Sequence, residues 1–538
     1  MALFFYLYLF FRGVIINQNV KNYKEFLVKR LPIGIQTFSE IIEEGYVYVD
    51  KTYFAHKLIT GGKYYFLSRP RRFGKSLFLD TLAEIFLGNK ELFKGLYIYD
   101  KYDFAPHPVI RISFGSGDFA EEETIYRKIN YILERNQEEL DIECKHKHRD
   151  ECFAELILRA YKKYKSKVVI LIDEYDKPIL DNITNTKMAL KARSILKNFY
   201  GVIKDSDKYI RFVFITGVSK FSKLNLFSGL NNLEDITIDK EYGEICGYTH
   251  HDLETVFKEH LKGVDLEKVK MWYNGYNYFG EKLYNPFDIL LFISKGYEFR
   301  NYWWSTGNPS FLIDKLREEN YYIPDLDNAT ISEEGLDAFD VEYIDVLALL
   351  WQTGYLTFKD KITDKFGRIN YTLCVPNLEI QFSLHDLFID YLTNQRHTKR
   401  RYEEGLLAAL DNRDFERFEQ ILKSLFSSIP YENYVNNVIS RYEGYYSSVI
   451  YVYLKALGYE TVAEDTTNKG RIDLTIKTDS MVVIIEFKVD SKEEPIKQII
   501  EKKYYEKYES EGKEIYLIGI KFDSKEKNIS EFKWIKHK

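Results

Sequence analysis

The stretch SRPRRFGKSLFLDTL, residues 68–82, contains Gly74, Lys75 and Ser76 in the order that grips phosphate. A polyphosphate needs backbone N–H groups to wrap it and a helix N-terminus aimed at it. It also needs a lysine for its β and γ oxygens and a hydroxyl for Mg²⁺. The flanks suit that work. KYYFLS (63–68) reads as a strand, and an apolar-periodic helix is expected from Gly74 to about Leu87. In the usual G-x-x-x-x-G-K-[ST] spacing the first glycine would stand at position 69, where this chain has Arg69. Pro70 can restrict the turn that a glycine would otherwise make. Gly-Lys-Ser alone is a common surface turn, so a second element matters. In VVILIDEYD, Asp173 ends an apolar strand, where a carboxylate can hold Mg²⁺, and Glu174 follows as a general base for water. A third strand, in FITGVSKF, leaves Thr216 at its C-terminal end, for the γ-phosphate or the water. A plain strand-end threonine is the alternative there.

A second constellation lies in GRIDLTIKTDSMVVIIEFKV, residues 470–489. Strands at 470–477 and 481–489, joined by a short polar turn, read as a hairpin. Asp473 lies on the first strand; Glu486 and Lys488, two apart on the second, share a face. Two carboxylates converging across a hairpin bind a divalent cation through hard oxygen ligands. A lysine beside them holds or deprotonates the attacking water and offsets phosphate charge. A solvated cross-strand ion pair is the bland alternative. Glu486, however, interrupts an apolar strand, and a buried unpaired carboxylate is costly. The D-x(n)-E-x-K arrangement resembles that of the PD-(D/E)XK nucleases. The order α-β-β-β-α-β matches their core: a helix at about 435–457, YETVAED, the hairpin, a helix at 493–510 and the strand EIYLIGIKF (514–522).

The stretches LPIGIQTFSEII, YVYVDKT, FLSRPRRFGKSL, VVILIDEYDKPI and FITGVSKFSKLNLFSGLNNLEDIT carry a wider likeness. Together they resemble the bacterial AAA-ATPase-like proteins that bear a C-terminal nuclease-like domain, from about residue 30 to the end. The family's loop characteristically reads Arg-Pro-Arg-Arg-Phe-Gly-Lys-Ser, so the resemblance makes Arg69 part of the pattern. Arg69, Arg71 and Arg72 add positive charge near the phosphates or reach an acidic neighbour. Arg72 is placed with Gly74, Lys75, Ser76, Asp173 and Thr216 in the nucleotide site, where Ser76 and Asp173 serve the Mg²⁺. The resemblance also implies Glu443, in RYEGYYSS, as a further carboxylate beside Asp473 and Glu486 at the second metal. It implies Gln498 as a lining residue, and Ser447 stands where relatives tend to have histidine.

Around these residues, KYYFLS, PVIRISF (108–114), KVVILID (167–173) and RFVFITG (211–217) alternate with helical patterns. Continuous apolar strands of this kind belong to a parallel sheet covered on both faces. The expected fold class is α/β: a P-loop NTPase parallel sheet flanked by helices, a mostly helical middle, and a C-terminal α/β PD-(D/E)XK-like domain. The expected division is an apolar extension (1–25), the AAA-ATPase-like domain (26–240), a helical lid or middle domain (241–400) and the nuclease-like domain (401–538). The charged stretch NQRHTKRRYEEG (394–405) marks the last boundary.

A chain of 538 residues is too long for one core. A net charge of −6 argues against a bulk polycation that coats nucleic acid or membrane. Four cysteines are too few for a disulfide framework and fit a reducing cytoplasm. The apolar start, MALFFYLYLFF, stops at Arg12, short of the ~20 residues that span a bilayer; no stable membrane anchor is expected. CKHKHRDEC places Cys144, His146, His148 and Cys152 close together, but not at zinc-finger spacing, and a solvated loop is the expectation. With 45 tyrosines and 38 phenylalanines, aromatic runs such as NYWWSTGNP are assigned to packing rather than to base stacking.

Two readings follow. The first is an enzyme that binds and hydrolyses ATP with Mg²⁺ and, gated by ATP, cuts nucleic acid, DNA favoured, at a Mg²⁺ or Mn²⁺ centre. Glu174, Asp473, Glu486 and Lys488 are its catalytic residues, and homo-oligomers are compatible with it. The alternative is a nucleotide-controlled regulatory or binding switch whose nuclease-like domain does not cut.

Overall fold

The apolar runs of the first half become a sheet. In chain order its elements are β1 (Tyr64–Ser68), α1 (Lys75–Leu87), β2 (Val109–Ser113), α2 (Glu122–Glu139), α3 (Arg149–Tyr164), β3 (Val168–Asp173), α4 (Thr186–Asp205), β4 (Ile210–Gly217) and β5 (Glu234–Asp235). These come from a computed structural model that describes residues 28–220, 232–304, 321–337, 341–395, 397–430 and 443–537. The apolar run at residues 1–20 lies outside them. Among the described residues no helix is long and apolar enough to cross a membrane.

The strands lie in the order β2-β3-β4-β1-β5, and each pairing is parallel. Every residue of β1 is buried, as are five of the six in β3, which is what helices on both faces produce. Register sets Leu67 beside Thr216, Ser68 beside Gly217, and Ser113 beside Asp173. The C-terminal ends of β1, β4 and β3 therefore gather along one edge, where open parallel sheets bind ligands. The outer strand β2 is capped at its midpoint. Asn136 of α2 accepts from Arg111 N and donates to Arg111 O, both at 2.8 Å.

The chain forms two compact units. One comprises Met1–Val218, Lys223–Lys270 and Tyr278–Tyr302, and the other Ser219–Ser222, Met271–Asn277 and Trp303–Lys538. The second unit contains β6 (Thr330–Ser332), β7 (Thr357–Thr363), β8 (Ile369–Cys374), α5 (Leu378–Thr393), α6 (Lys399–Asp411), α7 (Phe415–Ser427), α8 (Glu443–Ala456), β9 (Glu460–Thr467), β10 (Gly470–Lys477), β11 (Met481–Val489), α9 (Pro495–Lys502), β12 (Glu514–Asp523) and β13 (Asn528–Lys536). A three-stranded antiparallel sheet, β6-β8-β7, stands in the stretch expected to be mostly helical. Most of β7 is exposed, so it lacks the alternation of apolar and polar residues that announces a strand. The charged stretch at 394–405 runs into α6, and Gln395 ties it inward. Its amide donates to Leu425 O at 3.0 Å and its carbonyl oxygen accepts from Tyr453 OH at 2.6 Å.

The C-terminal sheet has the order β9-β10-β11-β12-β13, with β11 and β12 parallel and the other neighbours antiparallel. The hairpin β9–β10–β11 and the crossover through α9 to β12 realise the expected α-β-β-β-α-β order, and β13 is an added edge. The helix expected to reach residue 510 stops at Lys502, because Lys503 takes a left-handed φ of 53°. Ile472, Val482, Ile484, Ile499, Ile515 and Leu517 form a fully buried core between this sheet and α9.

That packing depends on Gly519, which pairs with Glu486. A Cβ at Gly519 would lie 2.8 Å from Ile496 N and 3.0 Å from Pro495 Cγ at the start of α9. Gly519→Ala is expected to destabilise the protein by about 1–3 kcal/mol through overpacking, read as a lowered midpoint of thermal or denaturant unfolding. An unchanged midpoint would mean that α9 yields freely.

Candidate functional site

The loop between β1 and α1 is built around Arg69. Its side chain is 1% exposed, and its guanidinium donates to Thr237 O at 2.6 Å, Ser68 O at 2.9 Å, Tyr242 O at 3.3 Å and Gly243 O at 3.4 Å. It also stacks over the Tyr278 ring at 3.7 Å. Arg69 is thus a structural pin and does not face a phosphate. Arg72, at φ 67°, is exposed, with its guanidinium 4.9 Å from the Phe287 ring. Gly74 takes φ 92°, a conformation most side chains resist, and caps α1.

Among the described residues no side chain caps α1, and its first turn has no acidic residue. The leading N–H groups and the positive end of the helix are therefore open to an anion. Lys75 is buried and donates to the carbonyls of Arg69 and Pro70, both at 2.9 Å. Burial holds its ammonium below the usual lysine range, while Asp173, Glu174 and Asp176 pull it back up. Ser76 Oγ donates to Asp173 Oδ2 at 2.6 Å, which joins the hydroxyl and the carboxylate expected to serve Mg²⁺. Burial raises Asp173; the Ser76 hydrogen bond and Lys75 oppose it. Glu174 has φ 50°, and burial followed by the Asp173 charge raises its carboxyl. A Cβ at Gly115 would lie 3.6 Å from that carboxyl group, which places Glu174 beside the end of β2. Thr216 is fully buried, and its hydroxyl donates to Leu67 O at 3.0 Å. The last acid of DEYD turns inward: Asp176 is 1% exposed and accepts from Val218 N at 3.1 Å.

At the second constellation, Asp473 Oδ2 accepts from Phe487 N at 2.7 Å, so the carboxylate bridges to the neighbouring strand. Glu486 is completely buried, so the pair is no solvated surface contact. Its Oε2 accepts from Gln498 Nε2 at 2.9 Å and lies 3.9 Å from Lys488 Nζ, while Oε1 is buried with no hydrogen-bond donor among the described residues. Burial, then the Asp473 charge, pushes the Glu486 carboxyl up to about 10. An orphaned buried oxygen beside a second carboxylate suits a hard divalent cation. Among the described residues no three His, Cys, Asp or Glu side chains converge as a ready cage. A cation at either site would therefore complete its shell with water or substrate oxygens, as Mg²⁺ commonly does. The side chain of Glu443 lies outside the described residues. Ser447 Oγ donates to Gly444 O at 3.2 Å.

Two family models match the chain: Predicted AAA-ATPase over residues 32–227, and PD-(D/E)XK nuclease superfamily over residues 441–532. A protein of Azotobacter chroococcum mcd 1, described as "Uncharacterized protein in vnfD 5'region", is 45% identical over 510 residues, covering 94% of this chain and 98% of the relative. The chain belongs to this AAA-ATPase-like family. No solved structure matches it.

In this family member, sequence reasoning missed three residues at the nuclease-like site. Glu464 lies opposite Asp473 in the hairpin, bracketed by the pairs Ala463–Leu474 and Asp465–Ile472. The equal arms of that hairpin were the signal. Tyr322 and Asp325 come from far upstream, where no local pattern marks them. Tyr322 OH stands 3.5 Å from Ser447 Oγ, and burial, together with the charges of Glu464 and Asp473, raises its phenol to about 12. In CKHKHRDEC, Cys144 Sγ donates to Cys152 O at 3.5 Å, and burial pushes its thiol up to about 12.

Two outcomes are expected. Arg69→Gly, which restores the ordinary loop residue, should destabilise the protein by about 2–4 kcal/mol through lost charged hydrogen bonds and a cavity. Thermal unfolding reads this; an unchanged midpoint would mean the pin is dispensable. Glu486 is raised in the fold, so the native state binds more protons than the unfolded chain between the ordinary carboxyl range and about 10. Metal-free stability should then fall as pH rises through that window. Glu486→Gln should melt higher than wild type at pH 8, by about 1–3 kcal/mol, and the gap should close toward pH 5. A pH-independent gap would contradict this.

Proposed function

We propose that this protein binds and hydrolyses ATP in its AAA-ATPase-like domain and cleaves nucleic-acid phosphodiesters in its nuclease-superfamily domain, with ATP governing cleavage. The observation that carries the nuclease reading is the fully buried Glu486 carboxyl beside Asp473, its Oε1 without a donor among the described residues, with Lys488 3.9 Å from the same carboxylate. A module that only binds nucleic acid has no use for such a costly carboxylate.

In the first site, Lys75 would exchange the Arg69 and Pro70 carbonyls for phosphate oxygens, and the open N-terminus of α1 would receive the same group. Ser76 and Asp173 would hold Mg²⁺, which neutralises charge on the phosphates. Glu174 would orient the attacking water; its backbone strain supports a selected position rather than a relaxed turn. In the second site, Asp473 and Glu486 would hold Mg²⁺ or Mn²⁺, which supplies Lewis acidity and lowers the pKa of bound water. As a ligand Glu486 would be held in its ionised form, with Gln498 orienting its other oxygen. Lys488 offsets charge on the scissile phosphate. DNA is the favoured substrate, and a cytoplasmic location and homo-oligomeric assembly fit the reading.

Purified protein would be incubated with single- and double-stranded DNA and RNA in Mg²⁺ or Mn²⁺, with and without ATP. Asp473→Asn should lower cleavage at least ~100-fold, and Glu174→Gln should slow ATP hydrolysis by about 100-fold while ATP still binds. Lys75→Ala should lose ATP binding. Cleavage that survives in Asp473→Asn would sink the nuclease assignment. Cleavage indifferent to ATP and to Lys75→Ala would remove the gating.

A further inference from the structure

Next to the Asp473–Glu486–Lys488 centre stands an arginine that the reading above does not use. Arg471 lies two residues before Asp473 on β10, its side chain 67% exposed, with Nε 3.0 Å from Glu464 Oε2. Glu464 is the residue opposite Asp473 and takes φ 49° in the middle of β9. A left-handed conformation inside a strand is strained for a residue other than glycine and persists where the surroundings hold it. Partial burial pushes the Glu464 carboxyl up, Arg471 pulls it down, and Asp473 and Asp325 add to the push. Arg471 also bears on Asp325. The guanidinium thus sits among Glu464, Asp325 and, beyond Glu464, Asp473.

That placement meets a problem of charge. A phosphodiester approaching Asp473 and Glu486 also meets Glu464 and Asp325, and like charges at close range repel it. A divalent cation and Lys488 offset the first pair of carboxylates. Arg471 is a cation beside the second pair. Its planar fork pairs bidentately with phosphate, and the Glu464 contact at Nε leaves the two terminal nitrogens to do so.

We propose that Arg471, oriented by Glu464, binds a backbone phosphate of the nucleic acid next to the metal centre, with Glu464 as a positioning residue rather than a metal ligand. This rests on the nuclease-like domain taking nucleic acid, and it holds whether or not the strand is then cut.

The test uses the full chain and a fluorescent DNA duplex in fixed Ca²⁺, with affinity read by anisotropy across a salt series. Cleavage is followed in Mg²⁺, and metal binding by terbium luminescence. Arg471→Ala should weaken binding about tenfold or more and lower the slope of log K against log salt by about one. Arg471→Lys should keep the slope and recover part of the affinity. Glu464→Gln should weaken binding less, and should add nothing in the Arg471→Ala background. Terbium binding should survive both changes and be lost in Asp473→Asn. Unchanged affinity and slope in Arg471→Ala would overturn the proposal while leaving cleavage to judge the nuclease reading. Loss of terbium in Glu464→Gln would also overturn it, making Glu464 a metal ligand. Arg471-dependent binding without cleavage in any metal would uphold the contact and defeat the nuclease reading alone. No binding by wild type would defeat the contact outright. Circular dichroism of each variant excludes misfolding as the cause, with Arg471→Lys as the conservative control.

Discussion

A guanidinium removed from water must find hydrogen-bond acceptors, and the loop between β1 and α1 is shaped by where Arg69 finds them. Desolvating the charge is costly. The cost is offset by four main-chain carbonyls and the face of Tyr278. Three of those carbonyls belong to the segment after β5, so the loop is fastened to chain well beyond the sheet's own strands. With Arg69 fixed, its carbonyl and that of Pro70 are presented to Lys75, and the turn into α1 closes through Gly74. An ordinary phosphate loop begins with a residue chosen for having no side chain. Here the same position is occupied by a long one that works from inside the fold.

The second unit meets the opposite difficulty, since it buries negative charge. Glu486 interrupts an apolar strand and lies entirely out of solvent, with one oxygen satisfied by Gln498 and the other set beside the Asp473 carboxyl without a donor among the described residues. The sheet is irregular beside it. The Asp473 carboxylate accepts from Phe487 N, and Glu464 across from it adopts a backbone conformation rare within strands. Register sets Glu464, Asp473 and Glu486 opposite one another on three neighbouring strands, so pleating turns them to one face, together with Lys488 two residues on.

Much of this was legible beforehand. The strands ending at Ser68, Asp173 and Gly217 are buried runs whose composition announces them, and the hairpin at 470–477 and 481–489 has the bounds expected of it. Lys75 and Ser76 follow from local motif spacing, and Asp173 meets them because it ends an apolar strand of the same parallel sheet. What stayed hidden depends on long-range contact. Nothing near position 69 says that its side chain will turn toward Thr237, and nothing near 322 says that a tyrosine there will reach Ser447. The sheet at 330–374 escaped notice because its strands are short and β7 is largely wet, so their pattern resembles that of a loop. Thr216 was legible as to position but not as to bonding, since a hydroxyl at a strand end has several carbonyls to choose from.

One small arrangement in the first unit limits how copies of this chain can associate. Asn136 uses both ends of its amide on a single residue of the outermost strand, so the midpoint of β2 has no free main-chain groups to offer another strand. An uncapped margin invites a neighbour to continue the sheet, with the attendant risk of open-ended polymers. This margin is closed at its centre by a side chain of the same molecule. A second copy therefore cannot extend the sheet through the midpoint of β2 without first displacing Asn136.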